Sequence, residues 1–240
     1  MTELPDPRTY ELEMKYFPWG ELIEKVAYVV EKRAPKNAKV LDLMCGPGFL
    51  LGQIEKRRPD LHLEGIDNDS RFIEYARSKY REISFEVVDV LQSLPNKTYD
   101  VVMCTGGVHH LPYNRQGDFI KRASGLLNPK GIAIFADPVV EFFKDEKERK
   151  RVAAKLGYEY LDTVIQKDAP KEIIQSATDI LFNDAVGIEF KTYLQRMEVL
   201  LRECFSTVDT RKTWPTLLQS CTSFSLSGDY YFVCENPSLK

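Results

Sequence analysis

No basic excess runs through this chain. Lysine and arginine total 33 against 36 acidic residues, a formal charge of −3 over 240 residues. With no overall positive field to hold a polyanion, nucleic acid is not an expected partner. The five cysteines, Cys45, Cys104, Cys204, Cys221 and Cys234, lie far apart, include no C-x-x-C pair and are odd in number. That spacing argues against a disulfide framework or a thiolate zinc site, and no metal is expected; reduced thiols in a cytoplasmic protein fit best. The apolar run of roughly 18 residues that a membrane span needs is missing, and the first eight residues are polar and proline-containing, so neither membrane association nor export is expected. Internal repeats and low-complexity tracts are absent too. What this length allows is one large domain, or a domain carrying a smaller insertion, and the second fits the pattern along the chain better. Nothing in the composition specifies an oligomeric state.

What is present begins with Val40-Leu41-Asp42-Leu43-Met44-Cys45-Gly46-Pro47-Gly48-Phe49-Leu50. A short apolar run ends in an acid, a tight glycine turn follows, and then a helical pattern. Such a unit brings backbone N–H groups and a carboxylate to the mouth of a parallel sheet, where side chains on the glycines would block a ligand. Ahead of it, Leu22, Ile23, Val26, Ala27, Val29 and Val30 recur at helical spacing, so residues 11–33 read as helix broken near Pro18. After the strand at 39–43, a helix runs from about 49 to before Pro59. Leu61 to Ile66 is a second strand closing on Asp67, and Ser70 is expected to cap the next helix. Phe85 to Val88 is a third strand closing on Asp89, and Tyr99 to Cys104 a fourth. A helix with Phe119, Ala123, Leu126 and Leu127 inward follows, stopped by Asn128-Pro129-Lys130-Gly131, and Ile132 to Ala136 is a fifth strand. This alternation predicts an open, doubly wound, mostly parallel α/β sheet.

From Glu141 to about Lys191 the rhythm breaks. A mixed-sign run from Lys144 to Arg151 reads as a solvated helix face, and Ile173, Ala177, Ile180 and Leu181 continue a helical pattern, so residues 141–191 read as an inserted helical cap. After a helix carrying Leu194, Met197, Leu200 and Leu201, two strand-like runs close the chain, around Ser206 to Thr213 and Tyr230 to Cys234. The expected organisation is an amino-terminal helical segment over 1–37, a cofactor-binding α/β domain over 38–140 and 192–240, and the cap between.

Three successive strands end in an acid, and ligands bind outside the carboxyl ends of strands in open α/β sheets, so Asp42, Asp67 and Asp89 should converge on one crevice. Asp67 lies about 20 residues past Gly48, where a carboxylate can accept both ribose hydroxyl hydrogens. Asp89 could accept from an exocyclic adenine amine while the N–H of Val90 serves a ring nitrogen, and Asp42 lies where a cationic amino-acid end would rest.

On these motifs the chain resembles the class I S-adenosylmethionine-dependent methyltransferases over about residues 38–137. The glycine turn is similar to their first motif, Gly65 to Ser70 to their second-strand acid, and Val87-Val88-Asp89-Val90 to their adenine motif. Tyr99 to Cys104 with Gly106, Gly107, His109, His110 and Leu111 resembles their fourth strand and loop, and Leu126 to Gly131 the turn before strand five. The resemblance implies a seven-stranded Rossmann-like sheet whose last strand is antiparallel. It also implies S-adenosylmethionine as cofactor, leaving as S-adenosylhomocysteine, held by Asp42, Met44, Cys45, Gly46, Gly48, Asp67, Asn68, Asp89, Val90, Cys104 and Gly106. Met44 departs from the family, which usually has a small residue there, commonly glycine; its side chain either turns into the core or crowds the methionine moiety.

The implied reaction is in-line transfer of a methyl group to a small-molecule acceptor, with an oxygen or nitrogen nucleophile expected. A neutral nucleophile must lose a proton, and imidazole titrates in the right range, so His110 is the expected general base and His109 the second candidate. Tyr16, Phe17, Trp19, Tyr113, Phe142 and Phe143 are the expected walls of a partly apolar acceptor pocket. Two rival readings remain beside this one. A protein could bind the cofactor without catalysis, or Gly46, Gly48 and Gly52 could be a loosened dinucleotide fingerprint of a nicotinamide-dependent oxidoreductase.

Overall fold

The computed structural model describes residues 6–216 and 226–237; Cys221 and the first five residues of the expected amino-terminal segment lie outside the described residues. Two helices, α1 (Pro7–Tyr16) and α2 (Trp19–Arg33), precede the sheet and meet at Pro18. Asp6 starts α1 by accepting the backbone N–H groups of Arg8 and Thr9, which its proline at the first helical position leaves as the donors to satisfy.

The alternation then runs β1 (Lys39–Leu43), α3 (Phe49–Arg57), β2 (His62–Asp67), α4 (Ser70–Lys79), β3 (Ser84–Val87) and β4 (Tyr99–Thr105). A short 3₁₀ turn, Val108–His110, leads to α5 (Tyr113–Ser124) and β5 (Leu127–Val140). The last part holds α6 (Glu146–Gln166), α7 (Lys171–Val186), the two-residue β6 (Thr192–Tyr193), α8 (Leu194–Arg202), β7 (Phe205–Trp214) and β8 (Gly228–Pro237). Strand order is β3-β2-β1-β4-β5-β8-β7, with β6 beside the end of β5. The strands β1 to β5 pair in parallel, while β8 runs antiparallel to both β5 and β7. Both faces of the central strands are buried, one against α5 and α8 and the other against α2, α3 and α4, as parallel sheets require. A third apolar cluster sits beneath α6 and α7, where Val152, Leu156, Ile173 and Ala177 pack on Phe17, Val140 and Tyr160. Among the described residues no helix is long and apolar enough to cross a membrane.

Four local expectations need correction. Asp69, not Ser70, caps α4, because its carboxylate accepts the N–H of Arg71. The helix α5 stops at Ser124, and Leu127 pairs with Tyr99 as the first residue of β5 instead of continuing the helix. At its other end β5 runs past Ala136 to Val140, because β8 pairs with it as far as Val139 and β6 then takes over. Finally, the charge run over 144–151 is not wholly solvated: Arg149 is buried, its guanidinium donating to the carbonyls of Glu189 and Gly187 and so tying α6 to the end of α7.

The order of strands reverses between β1 and β4, since β2 lies on one side of β1 and β4 on the other. That switch opens a crevice at the carboxyl ends of the strands. The segments that follow β1 and β4, together with α1 and α7, surround it.

Candidate active site

A cavity of about 360 Å³ occupies this crevice. Its floor is the turn after β1, where three residues in a row of five take left-handed backbone: Met44 at φ 59°, Gly46 at φ 53° and Gly48 at φ 78°. That conformation costs a residue with a Cβ roughly 1 kcal/mol, which explains why a methionine is unusual at position 44. The Met44 side chain does both things open to it, packing partly against the core while still lining the cavity. A Cβ at Gly48 would stand 2.8 Å from the Phe85 ring, so glycine there serves packing and turn geometry, away from the cavity lining. At Gly46 the nearest atom would be Tyr10 Cε1 at 3.9 Å, and at Gly106 nothing lies within 4 Å. Gly106 lines the cavity and keeps it open, as a ligand against bare backbone requires, whereas Gly46 is uncrowded but, like Gly48, outside the lining.

The acids divide by role. Asp67 Oδ2 accepts the Gly46 N–H and Oδ1 accepts the Asp69 N–H, both at 2.9 Å, so the carboxylate at the end of β2 holds the glycine turn in place. Asp42, 2% exposed, lines the cavity with an Oδ1 that has no hydrogen-bond partner, and burial, reinforced by Asp67, pushes its carboxyl well above the usual range. An orphaned buried oxygen of this kind is a costly feature unless a ligand donor satisfies it. Asp89 is half-buried and closes its own turn, accepting from the Leu91 N–H and the Gln92 side chain at 2.8 Å. Val90 is buried, with its carbonyl accepting from Arg122; Asn68 is exposed; Cys104 is buried beneath the loop after β4, its sulfur where a Cβ on Gly107 would fall.

Beyond β4 the chain turns through Gly106 into the 3₁₀ segment that presents the two histidines. His109 Nδ1 lies 2.9 Å from Asp137 Oδ1, and its Nε2 3.7 Å from Glu189 Oε2. Burial opposes the charged imidazole, but Asp137 and Glu189 outweigh it and hold His109 above the ordinary histidine range. His110, whose ring sits 4.1 Å from that of His109, is exposed into the cavity yet crowded by protein, and desolvation with the neighbouring imidazole pulls it far down, to about 3. Lys191 stands behind, 2% exposed, donating to Glu189 Oε2 at 2.8 Å and Asp184 Oδ1 at 2.5 Å. His109, His110 and Glu189 each bring one potential ligand atom within 4.8 Å of the others. The Lys191 ammonium already neutralises Glu189, so these groups form a closed charge cluster.

A family model described as a methyltransferase domain matches residues 40–131, which carry the glycine turn, Asp67, Asp89 and both histidines. Residues 40–131 are thereby identified as a methyltransferase domain. Among curated relatives, a carboxy-S-adenosyl-L-methionine synthase of Campylobacter curvus is 27% identical over 165 residues, 64% of this chain and 69% of the relative. A trans-aconitate 2-methyltransferase of Methylobacterium radiotolerans is 30% identical over 115 residues, 48% of this chain and 41% of the relative. In fold, the chain is similar to the N-methyltransferase NodS of Bradyrhizobium japonicum, solved with S-adenosylhomocysteine, at a TM-score of 0.57 and 15% identity over 92% of this chain and 89% of that one. The orphaned Asp42 oxygen and the open backbone at Gly106, both in the cavity lining, fit S-adenosylmethionine as the cofactor.

The expected aromatic walls are mostly elsewhere. Trp19 lines the cavity. Phe17 is buried behind it, stacked on the Trp19 ring at 3.9 Å. Tyr16 packs partly buried against the third cluster. Tyr113 donates its hydroxyl to the Lys191 carbonyl and stacks on Arg196, while Phe142 and Phe143 gather on Tyr193 at the surface and edge. Packing against other aromatics fixes Phe17, Tyr113, Phe142 and Phe143, and the third apolar cluster holds Tyr16. Sequence reasoning missed Tyr10, Asp137, Glu189 and Lys191. Asp137 carried a usable signal: like the three acids singled out, it follows an apolar strand run, Ile132 to Ala136. Glu189 and Lys191 carried none, because only the fold of α6 and α7 brings them to His109.

Proposed function

We propose that this enzyme methylates an oxygen or nitrogen nucleophile of a small-molecule acceptor by in-line displacement, with His109 as the general base. The observation that carries the reading is the Asp137–His109 pair opening on the same cavity as the glycine turn. Bound S-adenosylmethionine supplies an activated sulfonium methyl. Asp42 offers its free oxygen to a cationic amino group, Asp67, just outside the cavity lining, its carboxylate to a ribose diol, and Asp89 with the Val90 N–H is assigned to the adenine base. Asp137 accepts from Nδ1 and fixes the tautomer, so His109 Nε2 is the atom left to take a proton. The proton that the acceptor's nucleophilic atom would give up on attacking the methyl group would pass to His109 Nε2, and S-adenosylhomocysteine would be the leaving group. Glu189, held by Lys191, then stabilises the imidazolium. In place of the expected His110 we assign the role to His109, because an imidazole with so low a pKa is a poor proton acceptor, whereas a carboxylate-backed one holds a proton more firmly.

Two outcomes test the reading. Incubation with methyl-labelled cofactor and a panel of small alcohols, carboxylic acids and amines is expected to move label to at least one acceptor in a stoichiometric, protein-dependent way; binding of cofactor with no transfer to any would favour a non-catalytic role. We also assign residues 141–191 as a lid over the cavity, between the 38–140 and 192–240 parts of the cofactor domain, because α7 touches α1 through the Ser176–Glu13 hydrogen bond across the opening. Cleavage within 141–191 by a dilute protease is expected to slow when S-adenosylhomocysteine is added, and an unchanged rate would remove the lid role.

A further inference from the structure

The helix α7 carries its polar residues on the wrong side for a surface helix. Ile173 and Ala177 pack into the cluster beneath α6, which is the ordinary apolar stripe. Glu172, Gln175, Ser176, Asp179 and Asn183 recur at i, i+3, i+4, i+7 and i+11, so they form a second stripe, and that stripe lines the cavity. Across the cavity α1 supplies Asp6 and Glu13. The α1–α7 wall thus carries four carboxyl groups and, among the described lining residues, no lysine or arginine. The one cation lining the cavity, Lys191, is spent on Asp184 and Glu189. A second observation points the same way. Asp229, 1% exposed and also lining the cavity, keeps Oδ2 without a donor while its Oδ1 accepts from Tyr160. Asp42 accounts for the cofactor's amino group; the wall's own bonds, Gln175 Nε2 to Asp179 Oδ1 at 2.9 Å, Ser176 to Glu13 and the Asp6 cap of α1, bring no cation to its carboxylates, and Asp229 Oδ2 keeps no donor. Four phenyl, phenol or indole rings, Tyr10, Trp19, Phe49 and Tyr160, also stand in the lining, and a cation gains from ring faces as well as from carboxylates.

Resting on the methyltransferase reading, we propose that the acceptor carries a cationic nitrogen group, an ammonium or a guanidinium, which Glu172 and Asp179 of α7 hold away from the reacting atom. The group they hold is not the nucleophile. A carboxylate beside an ammonium favours its protonated form and would hide the lone pair that must attack. The attacking atom therefore lies at another part of the acceptor, near His109, and the α7 wall contributes the same binding energy before and during transfer. Interactions of that kind act on KM and leave kcat alone. Burial supports the picture on the α1 side, where the Glu13 carboxyl is pushed up to about 8 and a bound cation would draw its proton off.

The test uses the full chain saturated with S-adenosylhomocysteine, so that binding is read without turnover. Three probes of one shape, 4-phenylbutylamine, 4-phenylbutanol and 4-phenylbutyrate, are titrated by calorimetry. The amine is expected to bind at least tenfold tighter than the alcohol, and the carboxylate most weakly. In the Glu172→Gln/Asp179→Asn double variant the amine's advantage is expected to fall about tenfold, with S-adenosylhomocysteine affinity unchanged, while Glu172→Asp keeps the wild-type preference. Both positions are at least partly exposed, and a circular dichroism melt confirms that the variants fold. Equal binding of amine and alcohol, preference for the carboxylate, binding of none of the three, or a double variant with undiminished preference overturns the proposal. Failure of the wild type to bind S-adenosylhomocysteine would instead remove the methyltransferase reading beneath it.

Discussion

Replacing Asp67 by alanine is expected to weaken S-adenosylhomocysteine binding by about a hundredfold or more. The carboxylate has two tasks at once. It accepts the N–H groups of Gly46 and Asp69, which pins the glycine turn to the end of β2, and in the proposed complex it also accepts from the ribose hydroxyls. A hydrogen bond to a charged group contributes roughly 1.5–3 kcal/mol, and two such bonds to the ribose amount to about 3 kcal/mol or more. Each 1.4 kcal/mol is tenfold in affinity, so the hundredfold figure follows from the ribose contacts alone. Asp67→Asn keeps one acceptor oxygen and the shape of the side chain, and a loss of about tenfold is expected. Calorimetry on both variants, with circular dichroism to confirm an intact fold, reads the difference. An alanine variant that binds within about threefold of wild type would show that the ribose is held by other groups.

The same carboxylate illustrates what the sequence could and could not reveal. The places of Asp42 and Asp67 at the carboxyl ends of β1 and β2 were legible because each follows an apolar strand run with glycine neighbours. Gly46 was legible for the same reason, since a turn that must leave backbone bare tolerates nothing larger. The mostly parallel sheet followed from the alternation of strands and helices, even though the ends of α5 and β5 were misplaced by a few residues, where pairing with β4 at Leu127 and with β8 and β6 at the far end overrides local pattern. The aromatic wall was not legible. Phe17, Tyr113, Phe142 and Phe143 have the composition of a pocket, but aromatic rings pack equally well on one another, and only the positions of α2, α6 and α8 decide which ring faces the cavity. The polar stripe of α7 was present as a regular spacing, yet a stripe of polar residues ordinarily means a solvated face. It becomes informative only once Ser176 is seen bonded to Glu13.

Removing His109 gives the other large effect. His109→Ala is expected to lower kcat by about a hundredfold to ten-thousandfold, the range that a positioned general base contributes, while leaving cofactor affinity within a fewfold of wild type. The pH profile then identifies which imidazole acts. His109 must be neutral to accept a proton, and Asp137 with Glu189 raise its pKa above 6.5, so activity is expected to climb with pH through a limb placed above that value. In Asp137→Asn the carboxylate that favours the imidazolium is gone. The limb should move to lower pH even as kcat falls, because the amide can also support the wrong tautomer. Stability follows the opposite sign. A histidine whose folded pKa is raised stabilises the fold fully below its unfolded pKa and loses that contribution as pH rises through the folded value, so wild type should lose stability across the window in which it gains activity. Were His110 the base, its pKa of about 3 would leave it neutral throughout, and turnover would be flat from pH 5 to 9 and insensitive to Asp137→Asn. A flat profile that His110→Ala alone abolishes would therefore transfer the role to His110, and a flat profile surviving both alanine variants would leave the acceptor to shed its own proton to water.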